Sequence, residues 1–364
     1  MTTDHWSPLL DIPPFPAERY AITAARLGAI LHTRNDIAIV QAEAVVALEA
    51  AATSIIRPGM KAINIVTSPY GSWFGNWMRL SGGEVIDVTA SPARAIELDA
   101  VAETIETHPD ATVLSLVHAE SASGIGNPLA EIIHLARKRG LLTIVDAVAS
   151  IGGHHLDVDT LGIDIAVIGP QKALAGPAGL SALSISPAAW DLIGRPGGPR
   201  NSILSLSDLK PWIDGGYGAP AGTAVPLEWH ALHAALDRLE REGLDGVIAR
   251  HQLAACATRA GLTAMGVSCW TDDRTNSNLV TTTELPPDIP VEVLLAEAIR
   301  LGQPLAAGVG PGAERLIRFT HTGQQARFDT VMALISTYGR SLEGLGHDVD
   351  IGSACSAVLD CYAA

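Results

Sequence analysis

The sequence predicts an α/β fold: a mainly parallel central sheet with helices on both faces, followed by a smaller C-terminal α+β domain. Three observations lead there. Strand-length apolar runs alternate with helical patterns over about 150 residues, which is how a largely parallel sheet reads in sequence. Runs such as "TVLSLV" and "LLTIV" do not alternate apolar with polar, so they suit strands covered on both faces. After residue 200 the texture changes to long amphipathic helical patterns with few strands between them.

The elements follow in order. "DIAIVQ" (36–41) is a predicted strand, and "EAVVALEAAATSII" after it a helix. "KAINIVTS" is a strand, followed by a tryptophan-rich helix, "SWFGNWMRL". "EVIDVTA" and "ATVLSLVH" are strands, each followed by a helical pattern, "LDAVAETIETH" and "PLAEIIHLARKRG". "LLTIVDAV", "IDIAVIGP" and "LSALSIS" are strands with short connections. Two long helices, "PLEWHALHAALDRLEREG" and "LDGVIARHQLAACATRAGLTAMG", lead into the strand "NLVTTTEL", the helix "PVEVLLAEAIRLG", the strand "LIRFTH" and two terminal helices. The division expected is a large domain over 1–240 and a small one over 241–364.

Composition narrows the function. The chain has 364 residues, 48% hydrophobic and 17% charged, with a net charge of −15. That balance argues against nucleic acid as a partner. No apolar run has the length of a membrane span, and "MTTDHWSPLL" lacks the features of a signal peptide, so the expected location is the cytoplasm. The four cysteines, at 256, 269, 355 and 361, form no C-x-x-C pair and fit no zinc pattern. Reduced thiols packed as small apolar groups are expected. No metal site is read from the scattered histidines. Neither G-x-G-x-x-G nor a P-loop stands at a strand–helix junction.

Ligands of open α/β sheets bind at the carboxyl ends of strands, and several polar residues fall at such ends. Asp146 closes "LLTIVD", Lys172 follows "IDIAVIGPQ", Ser121 follows "TVLSLVHAE" and Tyr70 follows "INIVTSP". Singly, each has an ordinary explanation as a turn, cap or surface residue. Together they match the needs of a pyridoxal cofactor. A lysine amine forms its Schiff base, a carboxylate keeps the ring nitrogen protonated, an aromatic ring stacks on it, and small donors hold its oxygens. The apolar run "GPQKALAGPAG" around Lys172 favours the neutral amine.

Those same stretches carry a resemblance. "VDAVASIGG…DTLGIDIAVIGPQKALAGPAGLSALSIS" (145–186) is similar to the cofactor segment of class V aminotransferases, of the alanine–glyoxylate aminotransferase type. "HAESASGIGNPL" (118–129) and "LIRFTHTG" (316–323) resemble two further segments of that family, in the right order. The resemblance implies the pyridoxal-phosphate-dependent transferase fold type I. It makes Lys172 the Schiff-base lysine and proton shuttle, and Asp146 the partner of the ring nitrogen. Val148 and Tyr70 would face the two sides of the ring, Ser121 would lie near the ring oxygen, and Gln171 near the phosphate. Thr223 would reach the phosphate of a second subunit, which implies a homodimer with a shared site. Arg318 would bind a substrate carboxylate.

Further stretches, among them "SPYGSWFGNW" and "GRSLEGLGHDVDIGSACSAVLD", resemble the pyridoxamine–pyruvate aminotransferase subgroup. Its mark is a glutamate in the phosphate cup, here Glu43, followed by Ala44 and Val45 at the helix start. The expected cofactor is therefore pyridoxal 5′-phosphate, with unphosphorylated pyridoxal or pyridoxamine as a substrate in its place if Glu43 decides. Three departures stand out. The family's early Gly-Pro loop is replaced by "PLLDIPPFPAERY". The stretch before Thr223, "GAPAGT", lacks a tyrosine. Val309 stands where the subgroup has a second arginine. The expected activity is transfer of an amino group between an amine or amino acid and a 2-oxo acid such as pyruvate. Two alternatives are a lyase of the same scaffold, acting by β-elimination or oxidative deamination of an amino acid or cysteine S-conjugate, and a non-catalytic pyridoxal-binding protein.

Overall fold

The computed structural model describes residues 12–363 apart from 93, 221–223, 273, 304 and 311. In chain order the elements of the first part are α1 (Glu18–Ile30), β1 (Asp36–Val40), α2 (Ala44–Ile55), β2 (Lys61–Val66), α3 (Pro69–Leu80), β3 (Glu84–Thr89), α4 (Leu98–Thr107), β4 (Ala111–Val117), α5 (Leu129–Lys138), β5 (Leu142–Asp146), α6 (Val158–Leu161), β6 (Ile165–Ile168), β7 (Ser181–Ile185), α7 (Pro187–Ile193), α8 (Lys210–Asp214) and α9 (Pro226–Glu242). The second part holds α10 (Leu244–Ala264), β8 (Val280–Glu284), α11 (Val291–Arg300), β9 (Ala306–Ala307), β10 (Leu316–Thr320), α12 (Phe328–Gly344) and α13 (Ile351–Ala363).

Seven strands form one sheet in the order β1-β7-β6-β5-β4-β2-β3. β7 alone runs antiparallel to its neighbours β1 and β6. Side chains of successive residues leave a strand on opposite faces, and here both faces are covered. Ile37 and Ile39 of β1 join one core with Tyr20 of α1, Val101 of α4, Ile132 of α5 and Trp229 of α9. Ala38 and Val40 join the other, with Leu48 of α2, Phe74 of α3 and Ile193 of α7. This is why the strand runs are apolar without alternation. β3, at the sheet edge, is the contrast, with three of its six residues polar and only Val88 buried. The sequence reading names no helix over Glu18–Ile30. It is there because Tyr20, Thr23, Ala24 and Leu27 repeat at i, i+3, i+4 and i+7 and are buried. Alanine and threonine make that stripe faint in sequence.

β8, β10 and β9 form a separate antiparallel sheet. Its core runs from Ala254 of α10 to Val358 of α13 and includes Phe319 and Tyr338, whose rings meet edge to face at 5.1 Å. Where the two parts meet, the described interior holds neutral imidazoles. His251 is fully enclosed, His321 of the turn after β10 approaches Thr281 Oγ1 at 3.0 Å, and His118 after β4 lies 5.4 Å from the ring of His154. Burial pushes His251 down to about 4 and His118 and His321 down to about 3.

Because these folded-state values lie below 6.5, the unfolded chain binds more protons as pH falls below that point. The stability they supply is complete above pH 6.5 and is lost on acidification towards the folded values. The buried carboxyls Glu120 and Asp146, raised to about 7 and about 6, act in the opposite direction. Thermal unfolding of the wild type and a His321→Gln variant, compared between pH 6.5 and 4, isolates one imidazole. The variant's loss of stability should be shallower by about 1.4 kcal/mol per pH unit, and equal slopes would show that His321 is not buried neutral.

Candidate active site

The parallel strands deliver their C-terminal turns to one edge of the sheet. The turn after β6, Gly169–Lys172, carries Gln171 and Lys172, and the turn after β4 carries Glu120 and Ser121. Asp146 ends β5, which lies between those two strands. Tyr70 stands in the first turn of α3, whose start is set by the Ser68 cap and Pro69. Glu43, Ala44 and Val45 begin α2 after β1. The structure brings Glu43, Ala44, Val45, Tyr70, Ser121, Asp146, Val148 and Lys172 around one cavity. Gln171 and Arg318 line an adjoining cavity of about 360 Å³, together with Ser121 and Lys172. Gly169 makes the convergence possible, since a Cβ there would lie 2.8 Å from Val148 Cγ1 and 3.0 Å from Ala44 Cβ. A larger open cleft, about 740 Å³, lies at the opposite edge beside Asp36, Leu142 and Asp164, where β1, β5 and β6 begin. The catalytic residue types named from sequence are at the other end.

Lys172 Nζ donates to Ser121 Oγ at 2.9 Å. Burial lowers the lysine below its ordinary range, Asp146 opposes that shift, and Arg318 adds to it. Asp146 is 8% exposed and accepts the Val148 N–H at 2.9 Å. Burial raises its carboxyl to about 6, while the Val148 N–H and the Lys172 charge pull it back. An amine biased towards neutrality thus faces a carboxyl group that a cationic ring nitrogen would ionise.

Arg318 of β10 donates from Nη1 to the Ser121 carbonyl at 3.0 Å, and its Nε is buried without a partner. It therefore keeps donor capacity beside the lysine. At the other end, Glu43 caps α2: one carboxylate oxygen accepts the Val45 N–H at 2.7 Å and the other accepts Gln171 Nε2 at 2.7 Å. Gln171 Oε1 is buried without a partner. The helix start and the glutamine that would hold a phosphate thus already hold a carboxylate. The pyridine-ring residues fit a pyridoxal group; the 5′ end presents Glu43 and an unmet acceptor. Thr223 lies outside the described residues. Among those described, no cluster of three or more His, Cys, Asp or Glu side chains could hold a metal, and no helix is long and apolar enough to cross a membrane.

Glu120 escaped the sequence reading although it lies in the quoted "HAESASG". It is 1% exposed and accepts a hydrogen bond from Thr67, whose hydroxyl accepts Asn127 Nδ2 at 2.9 Å. Burial raises its carboxyl to about 7, against the Ser68 and Thr67 hydroxyls. Glu120 thus ties the Ser121 turn to the residues that start the Tyr70 helix. The available signal was an acidic residue at a strand end amid small side chains.

Comparisons with known proteins bear on the family. The family model for class V aminotransferases matches residues 20–286. Pyridoxamine–pyruvate transaminase of Mesorhizobium japonicum is 34% identical over 328 residues, 89% of this chain and 83% of that protein. Serine–glyoxylate aminotransferase of Arabidopsis thaliana is 28% identical over 85% of this chain and 78% of its own. The crystal structure of pyridoxamine–pyruvate aminotransferase from Mesorhizobium loti superposes with a TM-score of 0.90 at 32% identity, covering 94% of this chain and 88% of that one. The chain belongs to the class V aminotransferases, pyridoxal-phosphate-dependent enzymes of the type I fold.

Proposed function

We propose that the protein transfers an amino group from an amine or amino acid to a 2-oxo acid such as pyruvate, with Lys172 and Asp146 at the reacting centre. The observation that carries this is a partly buried amine, held by Ser121 Oγ at 2.9 Å, in one cavity with a buried carboxyl group. Bound pyridoxal phosphate supplies an aldehyde that condenses with an amine and a protonated ring that accepts the electron pair left at Cα. Lys172 would hold that group through Nζ, and the same Nζ would take the proton from the donor's Cα and return it to the cofactor's carbonyl carbon. Its lowered basicity leaves it neutral for that task nearer to neutral pH. Asp146 holds the proton on the ring nitrogen, with the Val148 N–H fixing its orientation. Tyr70 and Val148 would enclose the ring, and Ser121 would lie near its oxygen. Arg318 binds the carboxylate of the 2-oxo acid through its planar guanidinium.

A second reading concerns the amine. Glu43 places a carboxylate where a phosphate dianion would sit, and the buried Gln171 Oε1 needs a donor that a dianion lacks. A 5′-hydroxyl can donate there, which favours unphosphorylated pyridoxamine as the amino donor. The enzyme as proposed is a cytoplasmic homodimer. Exposed apolar Val225 and Leu227, just after Thr223, would be covered by a second copy, and Cys256, Cys355 and Cys361 are free thiols. The two domains are taken as 1–240 and 241–364, since α9 ends at Glu242 and the second core starts at Ala254.

Lys172→Ala should lower amino transfer by about 10²–10⁴-fold and abolish borohydride-dependent labelling of the 172 peptide. Labelling at another lysine would remove Lys172 from its role. Ammonia and 2-oxo acid formed without any acceptor would show elimination or deamination instead of transfer. Arg318→Met should raise KM for pyruvate by roughly 10–100-fold, the worth of a hydrogen bond to a charged group; an unchanged KM would place the carboxylate elsewhere. Pyridoxamine and its phosphate, compared as donors to pyruvate, test Glu43. The wild type should prefer the free amine, and Glu43→Gln should bind pyridoxal phosphate at least about tenfold tighter by removing a like charge. A wild type that retains tight pyridoxal phosphate through gel filtration would overturn the second reading.

A further inference from the structure

The cavity between Lys172 and Arg318 has two walls from different parts of the chain. Lys172 and Ala175 come from the turn after β6, and Arg318, Thr322 and Gly323 from β10 and the turn after it. Gly323 is where the walls touch. Its φ is +63°, and a Cβ there would stand 2.8 Å from the Lys172 carbonyl oxygen, so only glycine lets the two turns come this close.

Both backbone polar groups of Gly323 are held by adjacent residues of α10. Its N–H donates to His251 Nε2 at 2.9 Å, while His251 Nδ1 donates to the Val247 carbonyl at 2.7 Å. Its carbonyl accepts Arg250 Nη1 at 2.7 Å. The rest of the Arg250 fork is occupied. Nε and Nη2 donate to the two carboxylate oxygens of Glu242, at 2.6 and 3.2 Å. Glu242 is the last residue of α9, and one turn earlier Arg238 donates to the Ala175 carbonyl at 2.7 Å. One end of α9 therefore holds both walls: the lysine turn through Arg238, the Gly323 turn through Glu242 and Arg250.

We propose that Arg250 and His251 are positioning residues that pin the Gly323 turn to the lysine turn and so set the reach from Arg318 to Lys172. This rests on Arg318 as the carboxylate anchor. Only Phe319, Thr320, His321 and Thr322 lie between Arg318 and Gly323, so a shift of the turn carries the guanidinium with it. A planar fork is needed, because one side chain must bind a carboxylate with two donors and a carbonyl with a third. A lysine carries its three donors on one nitrogen and cannot span partners that Nε, Nη1 and Nη2 reach separately.

The test measures Arg250→Met, Arg250→Lys and Arg318→Met against the wild-type holoenzyme. Arg250→Met should raise KM for pyruvate about tenfold with a smaller change in kcat, the effect of a misplaced binding group. Amide hydrogen exchange over 321–326 should accelerate, while borohydride labelling of Lys172 stays complete. Arg250→Lys should not restore the wild-type KM. Should Arg250→Met fail to fold, Glu242→Gln weakens the same fork from its exposed side and should give the same split. Pyruvate KM and exchange both unchanged in the Arg250 variants, with KM raised in Arg318→Met, would overturn the positioning role alone. KM unchanged in Arg318→Met would overturn the anchor, and this proposal with it.

Discussion

The hydrogen bond from Lys172 Nζ to Ser121 Oγ joins the turns after β6 and β4 across Asp146, at the end of the strand between them. A partly buried amine is costly unless its charge is met or its proton given up. Here both routes are open. Asp146 favours the charged form, and burial with Arg318 favours the neutral one. That balance depends on three adjacent parallel strands ending at the same height, which the sheet provides and a single loop could not.

The turns themselves need support, and the support is polar and buried. Glu120, Thr67 and Asn127 link the Ser121 turn to the start of α3, and Asn127 also donates to the Val117 carbonyl at 2.8 Å. Asp146 is oriented by a backbone N–H two residues on. Each removes freedom from a residue at the cavity. Removing a partner would leave a buried acceptor unmet, at a cost of about 1–3 kcal/mol, so these links matter to site geometry more than their net stabilisation indicates.

The cavity is closed by the second part of the chain, which brings Arg318 on β10, the middle strand of its own small sheet. Its placement depends on α9 and α10, the two helices flanking Gly243 (φ +80°). Arg318 and Lys172 therefore come from parts of the chain with different cores, joined through a few polar contacts at one helix end. The glutamate at the start of α2 adds the remaining choice. By occupying the Val45 N–H and Gln171, it converts an anion-favouring helix start into one already satisfied.

Much of this was legible in the sequence. The strand–helix alternation, the non-alternating strand runs and the strand-end positions of Asp146, Ser121, Lys172 and Tyr70 follow from local pattern, because side-chain period and burial on two faces are properties of consecutive residues. The segment 145–186, which holds Asp146 and Lys172, pointed to the cofactor chemistry through resemblance. α1 stayed hidden because alanine and threonine give a weak apolar stripe. Glu120, Arg250 and His251 stayed hidden because their partners are distant along the chain: Glu120 meets Thr67 across 53 residues, Arg250 meets Gly323 across 73, and His251 meets Gly323 across 72. Residue identity and order alone determined the fold class and placed Asp146, Ser121, Lys172 and Tyr70 at strand ends. Tertiary structure decided what Glu43 binds, where Arg318 stands relative to Lys172, and which side chains hold them there, because those contacts exist only once separate turns are packed at one edge of the sheet.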